Sequence, residues 1–124
     1  MKQFAGVYVN TEYSGEYVTK PQKLVITSGG SIEEWSHADE DQYSSGVGEY
    51  KVAEGWVDSS GKMYSTVDVE FSTGAIIQML WRLNKSGNTI EANFKYGNAG
   101  EYPEKIDPEA EAYGPLFYWI GYRR

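Results

Sequence analysis

Residues 63–81 read MYSTVDVEFSTGAIIQMLW, the pattern of two strands joined by a short turn. In the first half Met63, Ser65, Val67, Val69 and Phe71 alternate with Tyr64, Thr66, Asp68 and Glu70. A period of two belongs to a β-strand with one buried and one wetted face. After Ser72-Thr73-Gly74 the alternation is lost, because Ile76, Ile77, Met79, Leu80 and Trp81 make both faces apolar. A strand buried on both sides needs a cover on its second face. The chain around Asp107–Tyr113, a partner subunit and a ligand are the candidates. The first needs no other molecule and is the leading expectation.

Strand patterns recur on both sides of this hairpin. Phe4–Val9, Glu16–Thr19, Lys23–Thr27 and Ser31–Trp35 precede it, followed by Val47–Ala53 and Trp56-Val57. Thr89–Tyr96 and Leu116–Tyr122 come after it, the last apolar on both faces. Between them lie turn residues: Ser28-Gly29-Gly30, Asp58-Ser59-Ser60-Gly61 and Asn84 to Asn88. His37–Ser45 reads as an acidic loop, and Gly48 as a bulge within its strand. Glu101–Tyr113 breaks the pattern. Asp107 as N-cap, Pro108 and Glu109 predict one or two helical turns over 107–113. Short strands at this spacing predict an all-β domain, a sandwich or an antiparallel barrel of about eight strands, spanning 1–124.

With 124 residues the chain can bury roughly 65% of its unfolded surface in one core. Its aromatic content is high, with 11 Tyr, 4 Trp and 4 Phe, residues that suit half-buried sheet positions and binding surfaces alike. A formal charge of −7 argues against nucleic acid and against anionic membranes. There is no cysteine, hence no disulfide framework and no thiolate chemistry. No apolar run reaches the ~18 residues of a membrane span. MKQFAGVYVN reads as the start of a strand rather than a signal peptide. A cytoplasmic protein fits, as does a periplasmic or secreted one whose signal peptide has been removed.

Gly6-Val7-Tyr8 in the first strand, sequential hairpins and a last strand ending in Arg123-Arg124 resemble the small lipocalin-like (calycin) barrels. That family carries G-x-W in its first strand, its Trp packed by a late Arg or Lys; here Tyr8 stands in place of Trp, with Arg123 or Arg124 as partner. The half of the chain from Trp56 onward, through WVDSSGKMYSTVDVEF and IQMLWRLNKSGNTIEANF to EYPEKIDP, is also similar to bacterial lipocalin-like domains of unassigned role. The resemblance implies an eight-stranded up-and-down barrel with an apolar cavity open at one end. A barrel of eight strands is just wide enough to be filled by its own side chains or to hold one small ligand.

The leading functional expectation is non-enzymatic binding of a small hydrophobic or aromatic ligand inside the barrel. Trp35, Met79, Trp81, Phe94, Tyr96 and Tyr118 are the candidate lining. A protein-interaction module or homodimer using an apolar sheet face is the alternative, and a small isomerase or lyase acting in the barrel is the next. Stacking on Tyr and Trp faces also leaves carbohydrate open. Glu33 and Glu34 are adjacent, so one of them points inward with its apolar companion, Trp35 or Ile32; an inward carboxyl among aromatics has a raised pKa. Glu33, Glu49 and Arg82 are the candidate polar contacts. Arg82 is expected outward, paired with Glu70 or Glu91, because Ile77, Met79, Trp81 and Leu83 make the better inner face. His37, the single histidine, lies in SHADEDQ, which lacks calcium-loop spacing. A solvated acidic loop explains that run, so neither a metal nor a cofactor is expected.

Overall fold

The alternating stretch forms two adjacent strands of a closed barrel. The computed structural model describes residues 3–15, 20–39, 46–96, 100–110 and 116–124. Its strands are β1 (Gly6–Val9), β2 (Lys23–Ile26), β3 (Ser31–Trp35), β4 (Gly46–Val57), β5 (Met63–Phe71), β6 (Ile76–Leu83), β7 (Thr89–Tyr96) and β8 (Leu116–Arg123). Each pairs antiparallel with the next, and β8 returns to β1. This is an eight-stranded antiparallel up-and-down barrel, and no helix occurs among the described residues.

The inner face of β5 is the one its alternation implies: Ser65, Val67, Val69 and Phe71 are buried. On β6 the inward set is Ile77, Met79, Trp81 and Leu83. Register then places Trp81 opposite Ala92 and Ala92 opposite Trp119, so a small residue separates two indoles in one layer. Burying Tyr and Trp requires a partner for each polar tip. Tyr8 donates to the Phe4 carbonyl at 2.8 Å, Trp119 Nε1 to the Pro21 carbonyl at 2.8 Å, and Tyr50 to the Thr27 carbonyl.

The apolar second face of β6 is covered by the chain itself. Gln78 and Leu80 point outward yet are fully buried, as is Asn93 on β7. The cover is the segment 100–110. Asn93 Nδ2 donates to the Asp107 carbonyl at 3.1 Å, and the Asp107 amide donates back to Asn93 Oδ1 at 2.7 Å. Tyr102 donates its hydroxyl to Asp68, which also accepts from Gln78 Nε2 at 3.2 Å.

Three local expectations change. Residues 107–110 form one turn, not a helix: Asp107 Oδ1 caps the Glu109 amide, but Asn93 holds the Asp107 main chain against the sheet. Positions 111–113 of that expected helix, and the strand expected at Glu16–Thr19, lie outside the described residues. Val47–Ala53 and Trp56-Val57 are one strand, β4, whose bulge falls between Val52 and Glu54 rather than at Gly48. Gly48 serves close packing instead, since a Cβ there would sit 2.7 Å from the Glu70 carbonyl oxygen.

Candidate functional site

Tyr8 and Arg123 face each other where β1 meets β8 and the barrel closes on itself. The Arg123 guanidinium lies 4.9 Å from the centre of the Tyr8 ring and donates to its hydroxyl at 2.8 Å. The same group donates to the carbonyls of Ala5, Gln3 and Gly87. Five N–H donors in a rigid fork suit one cation to so many acceptors. A Cβ at Gly6 would collide with that guanidinium and push it aside. Arg124 leaves this join to reach the Ala38 carbonyl and Asp39.

Behind this closure the interior is occupied by side chains. Trp81, Trp119, Tyr8, Phe94, Phe117 and Met79 are almost wholly shielded from solvent. Phe4 and Tyr50 both lean on Trp81, at ring separations of 5.8 and 5.1 Å. Ser65, opposite Trp81, has its hydroxyl buried without a hydrogen-bond partner among the described residues.

Of the residues expected to line a pocket, Met79, Trp81 and Phe94 are inside the barrel and in one cluster. Trp35 is not. Ile32 and Glu34 take the inner face of β3, leaving Trp35 outside beneath the Lys23 ammonium, 4.3 Å from its ring. Tyr118 is also outside, because its neighbours Phe117 and Trp119 point inward. There its hydroxyl donates to Glu91 Oε2 at 2.6 Å, and burial and that carboxylate together raise its pKa. Tyr96 ends β7, and its side chain lies outside the described residues.

The polar candidates are redistributed in the same way. Glu33 lies on the outer face and accepts from Trp35 Nε1 at 3.3 Å. Glu49 is exposed. Arg82 is outward as expected, donating through Nε and Nη2 to Glu91 Oε1 at 3.0 and 2.7 Å. The inward carboxyl is Glu34, between Leu24 and Gly46 in register, and burial pushes its pKa up to about 8. The adjacency of Glu33 and Glu34 showed that one of them must turn in; only the packing of Ile32 decides which.

A second feature lies on the outside, along β4 and β5. Here β3 pairs with β4 only as far as Ser31 opposite Glu49, followed by one bond from the Tyr50 amide to the Gly30 carbonyl. Its partner β5 continues alone to Val57 opposite Met63. Residues 51–57 are therefore exposed throughout and have no strand on their other side among the described residues. Trp56 stacks on Tyr64 at 5.2 Å with rings nearly parallel, and Tyr64 donates to Asp58 Oδ2 at 3.1 Å. Asp58 is held near pKa 2 by hydrogen bonds from the Ser60 hydroxyl and the turn amides, so it stays ionised. At the foot of this arm lies a groove of about 530 Å³ lined by Ser31, Glu49, Lys51, Asp68, Glu70 and Ile76. Glu49 and Glu70 face each other directly in register, an arrangement that costs free energy through like-charge repulsion.

No protein-family model, curated protein or solved structure matches this chain.

Proposed function

We propose that this protein is an interaction module that holds a partner along the projecting β4–β5 arm. One observation carries the reading. Of the six large apolar side chains exposed among the described residues, four are on β4: Val47, Val52, Trp56 and Val57. Val52 is 41% exposed, Trp56 39% and Val57 60%, all on the half of the strand that has no second neighbour among the described residues. Apolar exposure concentrated on one element, rather than scattered, is what marks an interaction surface.

The test is native mass spectrometry of the protein taken gently from its host, combined with hydrogen exchange. A protein complex of defined stoichiometry, with slowed exchange at residues 51–57 and loss of the complex in Val57→Lys, is the expected result. A bare monomer whose arm exchanges freely would overturn the reading.

A second reading has its own observation. Glu34 places a carboxyl inside an apolar barrel, a costly arrangement that can orient a ligand. The barrel topology and the Tyr8–Arg123 contact are compatible with lipocalin-like kinship, and a small hydrophobic or aromatic ligand among Met79, Trp81 and Phe94 follows from it. Such a ligand has to displace side chains that now fill the space. A small molecule carried at fixed stoichiometry in the same experiment, and released by denaturation, would favour this reading over the first.

A further inference from the structure

The exposed half of β4 is unusual in its backbone as well as its side chains. An unpaired strand edge presents a row of N–H and C=O groups to whatever can pair with them. Over residues 51–57 that row is about 20 Å long. Apolar side chains alone would accept a helix, a loop or a flat surface; the open backbone selects another extended chain.

Charge narrows the occupant. The hairpin from Gly46 to Phe71 carries five carboxylates, Glu49, Glu54, Asp58, Asp68 and Glu70, against Lys51 and Lys62. Lys51 stands opposite Asp68, which leaves Glu49 facing Glu70 and Glu54 at the edge itself. A second copy would set this surplus against itself, one chain of charge −7 against another. The bulge between Val52 and Glu54 and the charges beside it are also the devices by which sheet edges avoid pairing with their own kind. A cationic strand still meets the bulge, but it is spared the charge repulsion and relieves that between Glu49 and Glu70.

Resting on the interaction reading above, we infer that residues 51–57 receive an extended basic segment of a partner protein as an added β-strand, its apolar side chains against Val52 and Val57 and its cations toward Glu49, Glu54 and Glu70. The probe is a blocked peptide of about eight residues alternating Lys and Val. It is compared with its Glu-Val counterpart and with a Lys-Val peptide carrying proline at alternate positions, which cannot pair along its backbone. Amide exchange across the full chain is the readout, with Trp56 fluorescence for the titration.

The Lys-Val peptide should slow exchange at 51–57, while the proline and acidic peptides leave it unchanged. Glu54→Lys with Glu70→Lys, both at exposed positions, should weaken the complex by about tenfold or more, as should high salt. Equal protection by the acidic peptide, or protection that depends only on the protein's own concentration, overturns the basic partner and leaves the interaction reading standing. Failure of the basic peptide to protect the arm also overturns it. A host-derived complex mapped to a different face would remove the interaction reading as well.

Discussion

Glu34 shows how one side chain can tie stability to pH. Buried beside Leu24 with its carboxyl near pKa 8, it is largely protonated at neutral pH. Unfolded, the same group titrates near 4.5. The folded state therefore holds a proton that the unfolded state has lost between these two values, and stability falls as pH rises through that window. It is fully present below the unfolded value and lost as the pH passes the folded one. Glu34→Gln keeps the shape and removes the titration, so the variant should lose this slope. Unfolding free energies from urea titrations should fall for the parent between about pH 5 and about pH 9 by an amount on the order of a few kcal/mol and change far less for the variant. Parallel behaviour of the two proteins would mean that Glu34 is charged and hydrated in the fold. The residue was half legible in the sequence. Two adjacent glutamates on a strand guarantee opposite directions, but Ile32 and Trp35 are both apolar and either could have led the way in.

At the scale of single elements, β8 was the hardest strand to read and β5 the easiest. Strict alternation in β5 admits one orientation. In LFYWIGY every position is apolar, so a slip of one residue exchanges Tyr118 for Trp119 at no visible cost in pattern. What fixes the orientation is shape: the Trp119 ring lies over Gly121, where a Cβ would collide with it, and its Nε1 reaches Pro21. Gly121→Ala should therefore destabilise by about 1–3 kcal/mol through overpacking. The control is Gly55→Ala on β4, where the nearest atom to the added Cβ is the Tyr64 carbonyl at an ordinary 3.5 Å, and which should cost much less. Thermal midpoints decide the stability, and near-ultraviolet circular dichroism reports whether Trp119 has moved. Equal effects at the two glycines would remove shape as the determinant of β8. The segment 100–110 was legible in place but not in form. Asp107-Pro108-Glu109 begins a helix or an Asp-centred turn equally well, and only Asn93, distant in sequence, chooses the turn.

For the whole molecule the decisive event is closure. Every other pair of neighbours is joined by a longer ladder, whereas β1 and β8 meet in register only at Tyr8 with Arg123 and Val9 with Tyr122. Arg123 supplements this short join by tying Gln3, Ala5 and Tyr8 to Gly87 at the β6–β7 turn. The G-x-Y and terminal arginine were visible in the sequence as a resemblance, but the number of carbonyls gathered by one guanidinium was not. Arg123→Ala strips hydrogen bonds from a charged donor, each worth about 1.5–3 kcal/mol at most and less where solvent reaches. The expected consequence is regional. Amide exchange should accelerate across β1 and β8 before it does in β5 to β7, because the closing join has the fewest pairs to hold it. Arg123→Lys keeps the charge over the Tyr8 ring but loses the planar fork, so it should restore part of the protection. If exchange instead rose uniformly around the barrel, closure would be shared by all eight strands and Arg123 would be one contact among many. If Lys restored everything, the charge over Tyr8 alone would hold the barrel shut.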